Sequence, residues 1–430
     1  MVKPFLPPAN TKILLFFSFE KYQTVKDLTK LWFGLALIFF LLTALAGLLL
    51  RWLPLQSLID NNYYFGILQA HSHTGFLGWI FVALYILLLK KTGKDKILTL
   101  KKTNIILFVL SFLLIAMYIS FPFDGYGAFS ITFLSLFLLF SYYALIYLYK
   151  NVDPVFNNSL TKKFLLTGII FYFISSISPW LLGPIIAMGY KKSELYYNNI
   201  FFYLHFLYNG FVFFAIVSLF VADLEFSNIR QQTKQKLHTA FLLLTTGTIL
   251  NYSESLLWSN HTAIMHITAF ISSILILTAV FLVFTAGFKT KITYRGIAKF
   301  ILIVVFFSVS LKIVLHLLQA APYLSKISYH FKSYFIIGYI HLVTLGLFST
   351  FILAYSVKHN IIKPGKTFNA GAITFITGFF LTEILLFLQG ILLWNNVNFL
   401  IQYYDFSIFT ASLIMFCGIC MITAAYLKQK

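Results

Sequence analysis

Seven of the ten histidines lie near one end of apolar segments long enough to span a bilayer: His71, His73, His205, His261, His266, His316 and His341. An imidazole inside lipid is costly because its two ring nitrogens find few partners there, so a layer of them points to a shared ligand such as a heme or a metal ion. The depths coincide. His71 stands eight residues after Tyr63, His205 six after Asn199 and His341 seven after Tyr334. At about 1.5 Å per residue, each is roughly 9–12 Å below the same end of its helix. His266 is five residues into its segment, and His316 is four from the end of its own.

Spacing divides the work among them. His71 and His73 differ by about 200° around a helix, so one can be a ligand while the other faces a neighbour. His261 and His266 differ by about 140° and can serve different partners. Lys312, His316 and Gln319 recur at i, i+4 and i+7, forming one polar stripe. An ammonium buried there needs an anion, either heme propionates or the carboxylate of Glu254 or Glu383. Glu254 also has the chemistry of a metal ligand or a proton relay. Glu383 and Gln389 carry no assigned role.

These residues need a membrane-embedded frame, and the composition supplies one. With 60% hydrophobic residues, 10% charged and a mean hydropathy of +0.87, the chain reads as an all-α polytopic membrane protein. Twelve apolar runs are expected: 31–52, 63–89, 104–121, 126–149, 164–190, 199–221, 237–258, 261–288, 300–320, 334–357, 368–394 and 406–427. Residues 1–30, with Pro4, Pro7 and Pro8, read as an N-terminal arm without a cleavable signal, and 31–427 as one twelve-helix domain. Ser178-Pro179 through Pro184 predict a kink in the fifth run. No strong internal repeat is visible.

The net charge of +20 reflects topology. With the N-terminus on the cytoplasmic side, 26 of the 32 Lys and Arg fall in cytoplasmic segments, only Arg51, Lys191, Lys192, Lys326 and Lys332 fall outside, and Lys312 lies within a span. This bias puts both termini in the cytoplasm of a bacterial-type inner membrane and leaves no case for nucleic acid. Cys417 and Cys420 sit in an apolar helix and read as small buried hydrophobes. A C-x-x-C-H for covalent heme attachment, phosphate-binding glycine loops, H-E-x-x-H and paired catalytic carboxylates are all missing from the sequence.

The second run reads AHSHTGFLGWIF, the sixth YLHFLYNGFVFFA and the tenth GYIHLVTLGLFSTF. On twelve spans with both ends inside, this resembles subunit I of the heme-copper oxidase superfamily, including its nitric oxide reductase branch, and is similar to the NnrS family of membrane heme and copper proteins. The resemblance implies a b-type heme held by His71 or His73 together with His341. It further implies copper or non-heme iron at His205, with His261, His266 and Glu254 as further ligands, and Lys312 and His316 near heme propionates. It implies an oxidoreductase of the respiratory chain that takes electrons from a donor and handles oxygen or nitric oxide. The sequence departs from the oxidase pattern in having no adjacent histidine pair, only His341 on the tenth run, and Asn209 four residues after His205 where many oxidases carry a tyrosine. Those departures point to binding, sensing or detoxifying a small gas, or to electron transfer. The alternative is a proton-coupled secondary transporter in which Lys312, Glu254, Glu383 and the histidines bind substrate or relay protons.

Overall fold

The computed structural model describes residues 25–56, 61–226, 229–259, 261–290, 293–395, 397 and 403–429. Most of the expected N-terminal arm, residues 1–24, lies outside them. A backbone in lipid must satisfy its own hydrogen bonds, and the described chain does so as helices joined by short connections.

Eleven helical passes are long and apolar enough to cross a membrane: α1 Leu28–Gln56, α2 Tyr63–Thr92, α3 Lys101–Asp124, α4 Ala128–Lys150, α5 Leu160–Ala187, α6 Glu194–Glu225, then α8 Ala263–Phe288, α9 Gly296–Gln319, α10 Lys332–Lys358, α11 Lys366–Trp394 and α12 Tyr404–Leu427. The chain is therefore a multi-pass integral membrane protein. The expected seventh run is α7, Gln231–Leu250, a helix rich in threonine and less apolar than the rest. It packs against its neighbours within the bundle. Phe241 packs edge-on to Phe164 of α5 at 5.1 Å, while Thr248, two turns later, receives a hydrogen bond from His205 of α6. The short helix Tyr252–Leu256 extends it.

The fifth pass breaks at Ser176, just before the Ser178–Pro184 stretch where a kink is expected. Pro179 has no N–H to give, and α5 divides into Leu160–Ser175 and Ile177–Ala187. Beside the break α5 is tied to α6: Ser178 Oγ donates to the Asn199 carbonyl at 2.6 Å and Asn199 Nδ2 to the Ser178 carbonyl at 2.9 Å.

Three passes form the centre. The most apolar windows of α2, α6 and α10 are 78%, 83% and 61% buried, against at most 44% in the other eight. Each central helix changes from α to π winding beside its histidine, over Thr74–Phe81, His205–Val212 and Leu342–Ser349. Such segments are rare and mark sites where a helix face is re-aimed. Each also carries a glycine five residues after a histidine: Gly78 after His73, Gly210 after His205, Gly346 after His341. A Cβ at Gly78 would lie 3.1 Å from Phe39 of α1, at Gly210 2.6 Å from Phe171 of α5, and at Gly346 2.6 Å from Ser308 of α9. Each glycine thus lets a neighbouring helix close against a central pass, Gly346 meeting both Ser308 of α9 and Phe379 of α11.

Candidate functional site

The histidine layer divides into two clusters. The first lies between α2 and α10. Both helices run in the same direction, and Trp79 Nε1 donates to Ser349 Oγ at 2.8 Å. Counting back eight residues on each helix from that bond reaches His71 and His341, so the two imidazoles share one level. They lie close enough to interact electrostatically, with Arg51 of α1 acting on both. His71 Nδ1–H donates to the Thr43 carbonyl of α1 at 2.8 Å. That bond fixes the tautomer in which Nε2 keeps its lone pair. His341 Nδ1 is buried with no partner.

His71 and His73 have different surroundings. His73 donates from Nδ1 to the Gln69 carbonyl one turn back at 2.9 Å. Its ring stacks on Phe121 of α3 at 4.7 Å, so it is turned toward α3. The chemistry of the first cluster suits a heme: two neutral imidazoles at one level on facing central helices, one with its second nitrogen already tethered, and Arg51 nearby for an anionic edge. His71 and His341 would hold it.

The second cluster spans α6 to α10. His316 Nδ1–H donates to Glu254 Oε2. Its Nε2 receives Lys312 Nζ at 2.8 Å and the Tyr339 hydroxyl at 3.0 Å. Glu254 also accepts from Asn251 Nδ2 at 2.8 Å, and the same nitrogen reaches Ser272 Oγ at 3.0 Å. Glu254 thus reaches the polar stripe of α9 through His316, while Lys312 bonds His316 and makes no ion pair with Glu254 or Glu383 among the described residues. Gln319, its third member, instead accepts from Ser328 at 2.7 Å.

The expected second metal position is not assembled. His205 Nε2–H donates to the Thr248 carbonyl at 2.9 Å and Nδ1 accepts from Asn209 at 3.3 Å, so protein groups engage both ring nitrogens. His261 and His266 stack on each other at 5.9 Å, and His266 Nδ1 donates to the Ala320 carbonyl at 2.9 Å. Glu254 is committed to His316 and Asn251. Among the described residues no group of three or more His, Cys, Asp or Glu side chains could hold a metal ion. The resemblance supplied four residues on neighbouring helices, and local hydrogen bonds turn them to different partners. Copper or non-heme iron does not fit here.

A third polar node sits at the opposite, lysine-rich end. Asp223 of α6 pairs with Lys91 of α2 at 2.6 Å, with Lys358 of α10 at 2.5 Å and with His359 at 3.0 Å. One buried carboxylate therefore joins all three central helices. Nearby Tyr294, just before α9, has its hydroxyl pushed well above the usual phenol range by burial, with the Asp223 charge adding to it. Sequence reading missed this node, although Lys91, Asp223 and Lys358 all fall at the same end of even-numbered runs. No protein-family model matches the chain, and no curated protein matches it.

Proposed function

We propose that this chain is a membrane heme protein of the heme-copper oxidase subunit I kind, close in character to the NnrS branch. It holds one six-coordinate b-type heme between His71 and His341 and passes electrons or handles a small gas such as oxygen or nitric oxide. The observation that carries this reading is the pair itself: two imidazoles at one level on parallel central helices, the first with Nδ1 tethered to Thr43 and Nε2 left without a protein hydrogen bond. Bound heme supplies a one-electron iron couple. The protein's share is to fix ring orientation through Thr43, to place the Arg51 charge beside the site, and to exclude water with α1, α2 and α10.

The network of Glu254, His316, Lys312 and Tyr339 is suited to holding a proton beside that site, each group one hydrogen bond from His316. That same buried network favours a second reading, a proton-coupled secondary transporter without heme. Both readings place the chain in a bacterial-type inner membrane with its termini cytoplasmic. A reduced-minus-oxidised spectrum with metal analysis of the detergent-purified protein separates them. A Soret band that sharpens on reduction, with one iron per chain, is the expected result. A colourless, iron-free protein overturns the heme reading.

A further inference from the structure

The packing of α10 against α11 has a fixed register. A Cβ at Gly346 would lie 2.5 Å from the Phe379 ring, one at Gly338 would lie 2.9 Å from Phe387, and one at Gly390 would lie 2.9 Å from Phe335. Going down one helix as the other goes up, these contacts pair 346 with 379, 338 with 387 and 335 with 390. The same antiparallel count sets Glu383 opposite Leu342, one residue from His341.

Facing directions agree with the levels. Phe379, Glu383, Phe387 and Gly390 recur at i, i+4, i+8 and i+11, which is one face of α11, the face turned to α10. Tyr334, Gly338 and His341 recur at i, i+4 and i+7, one face of α10, and both Tyr334 and Gly338 touch α11. His341 and Glu383 therefore look at each other across a single helix interface.

Both ends of that line are unsatisfied. Glu383 is 7% exposed. Its two carboxylate oxygens and His341 Nδ1 are all buried without a hydrogen-bond partner. Arg51 is near enough to act on both residues electrostatically, yet it forms no ion pair with Glu383 among the described residues. Two orphaned polar groups, one an acceptor and one able to donate, are costly apart and complementary together.

We propose that Glu383 is the positioning residue for His341. Its carboxylate accepts a hydrogen bond from His341 Nδ1–H, directly after a side-chain rotation or across one water, and so holds the tautomer whose Nε2 faces the space shared with His71. The proposal rests on the heme reading above. A ligating imidazole almost always gives its other N–H to a carboxylate, carbonyl or water, and that partner sets ring orientation and ligand basicity. Thr43 does this for His71 with a neutral carbonyl. Glu383 does it for His341 with a carboxylate, which makes that imidazole the more basic of the two and favours ferric over ferrous iron.

The test compares full-length wild type with Glu383→Gln and Glu383→Leu in detergent. Glu383→Gln keeps the geometry and loses the anion. It is expected to raise the ferrous-to-ferric ratio at fixed potential about tenfold, 59 mV for a one-electron couple. Glu383→Leu is expected to lower heme retention against an excess of a competing apo heme protein by about 10- to 100-fold. A Glu383→Leu protein with wild-type potential and retention overturns the proposal while leaving the heme reading intact. If the wild type carries no heme, that reading fails separately. A double-mutant cycle on thermal stability with Glu383→Leu and His341→Leu then decides whether the two residues are paired, with additive effects overturning the pairing.

Discussion

Trp79 of α2 donates its indole N–H to Ser349 of α10, across 270 residues of chain. Ser349 passes the bond on to the Thr344 carbonyl at 2.7 Å. The relay joins two π segments side by side, and it brings His71 and His341 to a common depth by counting alone. Phe40 of α1 stacks on the same indole at 4.5 Å, so three helices are locked at that level.

The two neighbouring histidines of α2 should behave differently. His71→Ala removes the imidazole tethered to Thr43 and is expected to abolish the low-spin spectrum, as is His341→Ala. His73→Ala removes a ring packed on Phe121 and should leave the spectrum as it is. Absorption spectra of the three purified variants check this. Loss of the spectrum in His73→Ala with retention in His71→Ala would reverse the assignment.

Gly47 gives His71 its room. A Cβ there would lie 2.9 Å from His71 Cε1, and overpacking of this kind costs about 1–3 kcal/mol. Gly47→Val should therefore displace the imidazole and reduce heme content. Gly183, where an added Cβ would meet nothing within 4 Å, is the control. Gly183→Ala sits in a helix and should leave stability unchanged or raise it by up to about 1 kcal/mol. Heme per chain and thermal unfolding of both variants are the measurements.

Removing Asp223 should be costly. Asp223→Ala leaves two lysines and His359 around an empty acceptor, and breaking a buried ion pair on one side typically costs about 3–5 kcal/mol. Lys91→Ala should cost less, because Lys358 and His359 remain with the carboxylate. The ordering of midpoints in thermal unfolding tests this, and equal losses in the two variants would contradict it.

The charge distribution makes a topological prediction. A reporter fused after Lys430 or within 90–102 should read as cytoplasmic, and one near Lys191 as external. An external C-terminus would put the histidine layer at the cytoplasmic ends of its helices.

Much of this arrangement is legible in the amino-acid order, because bilayer thickness fixes helix length. Eleven expected runs fall within a few residues of the eleven membrane-long passes, while the seventh, 237–258, only overlaps the less apolar α7, Gln231–Leu250, and helix parity alone brings His71, His205 and His341 to one depth. Other features have no one-dimensional signature. The π segments displace side chains from the 3.6-residue period, so facing directions beyond His73, His205 and His341 do not follow from a helical wheel. His205 counts as a ligand by type and depth, yet a carbonyl near the end of α7 claims it. Glu383 and Arg51 come from helices far apart in sequence, and only the α10–α11 register sets Glu383 at the level of Leu342, next to His341.

The Asp223 node has a mechanical meaning. Three central helices are pinned to one anionic pivot at the lysine end, while His71, His205 and His341 stand roughly five helical turns away along the same helices. The Trp79–Ser349 bond ties α2 to α10 a second time, between that pivot and the histidines. The spacing of the two helices is therefore set at two levels, and the histidines stand beyond both.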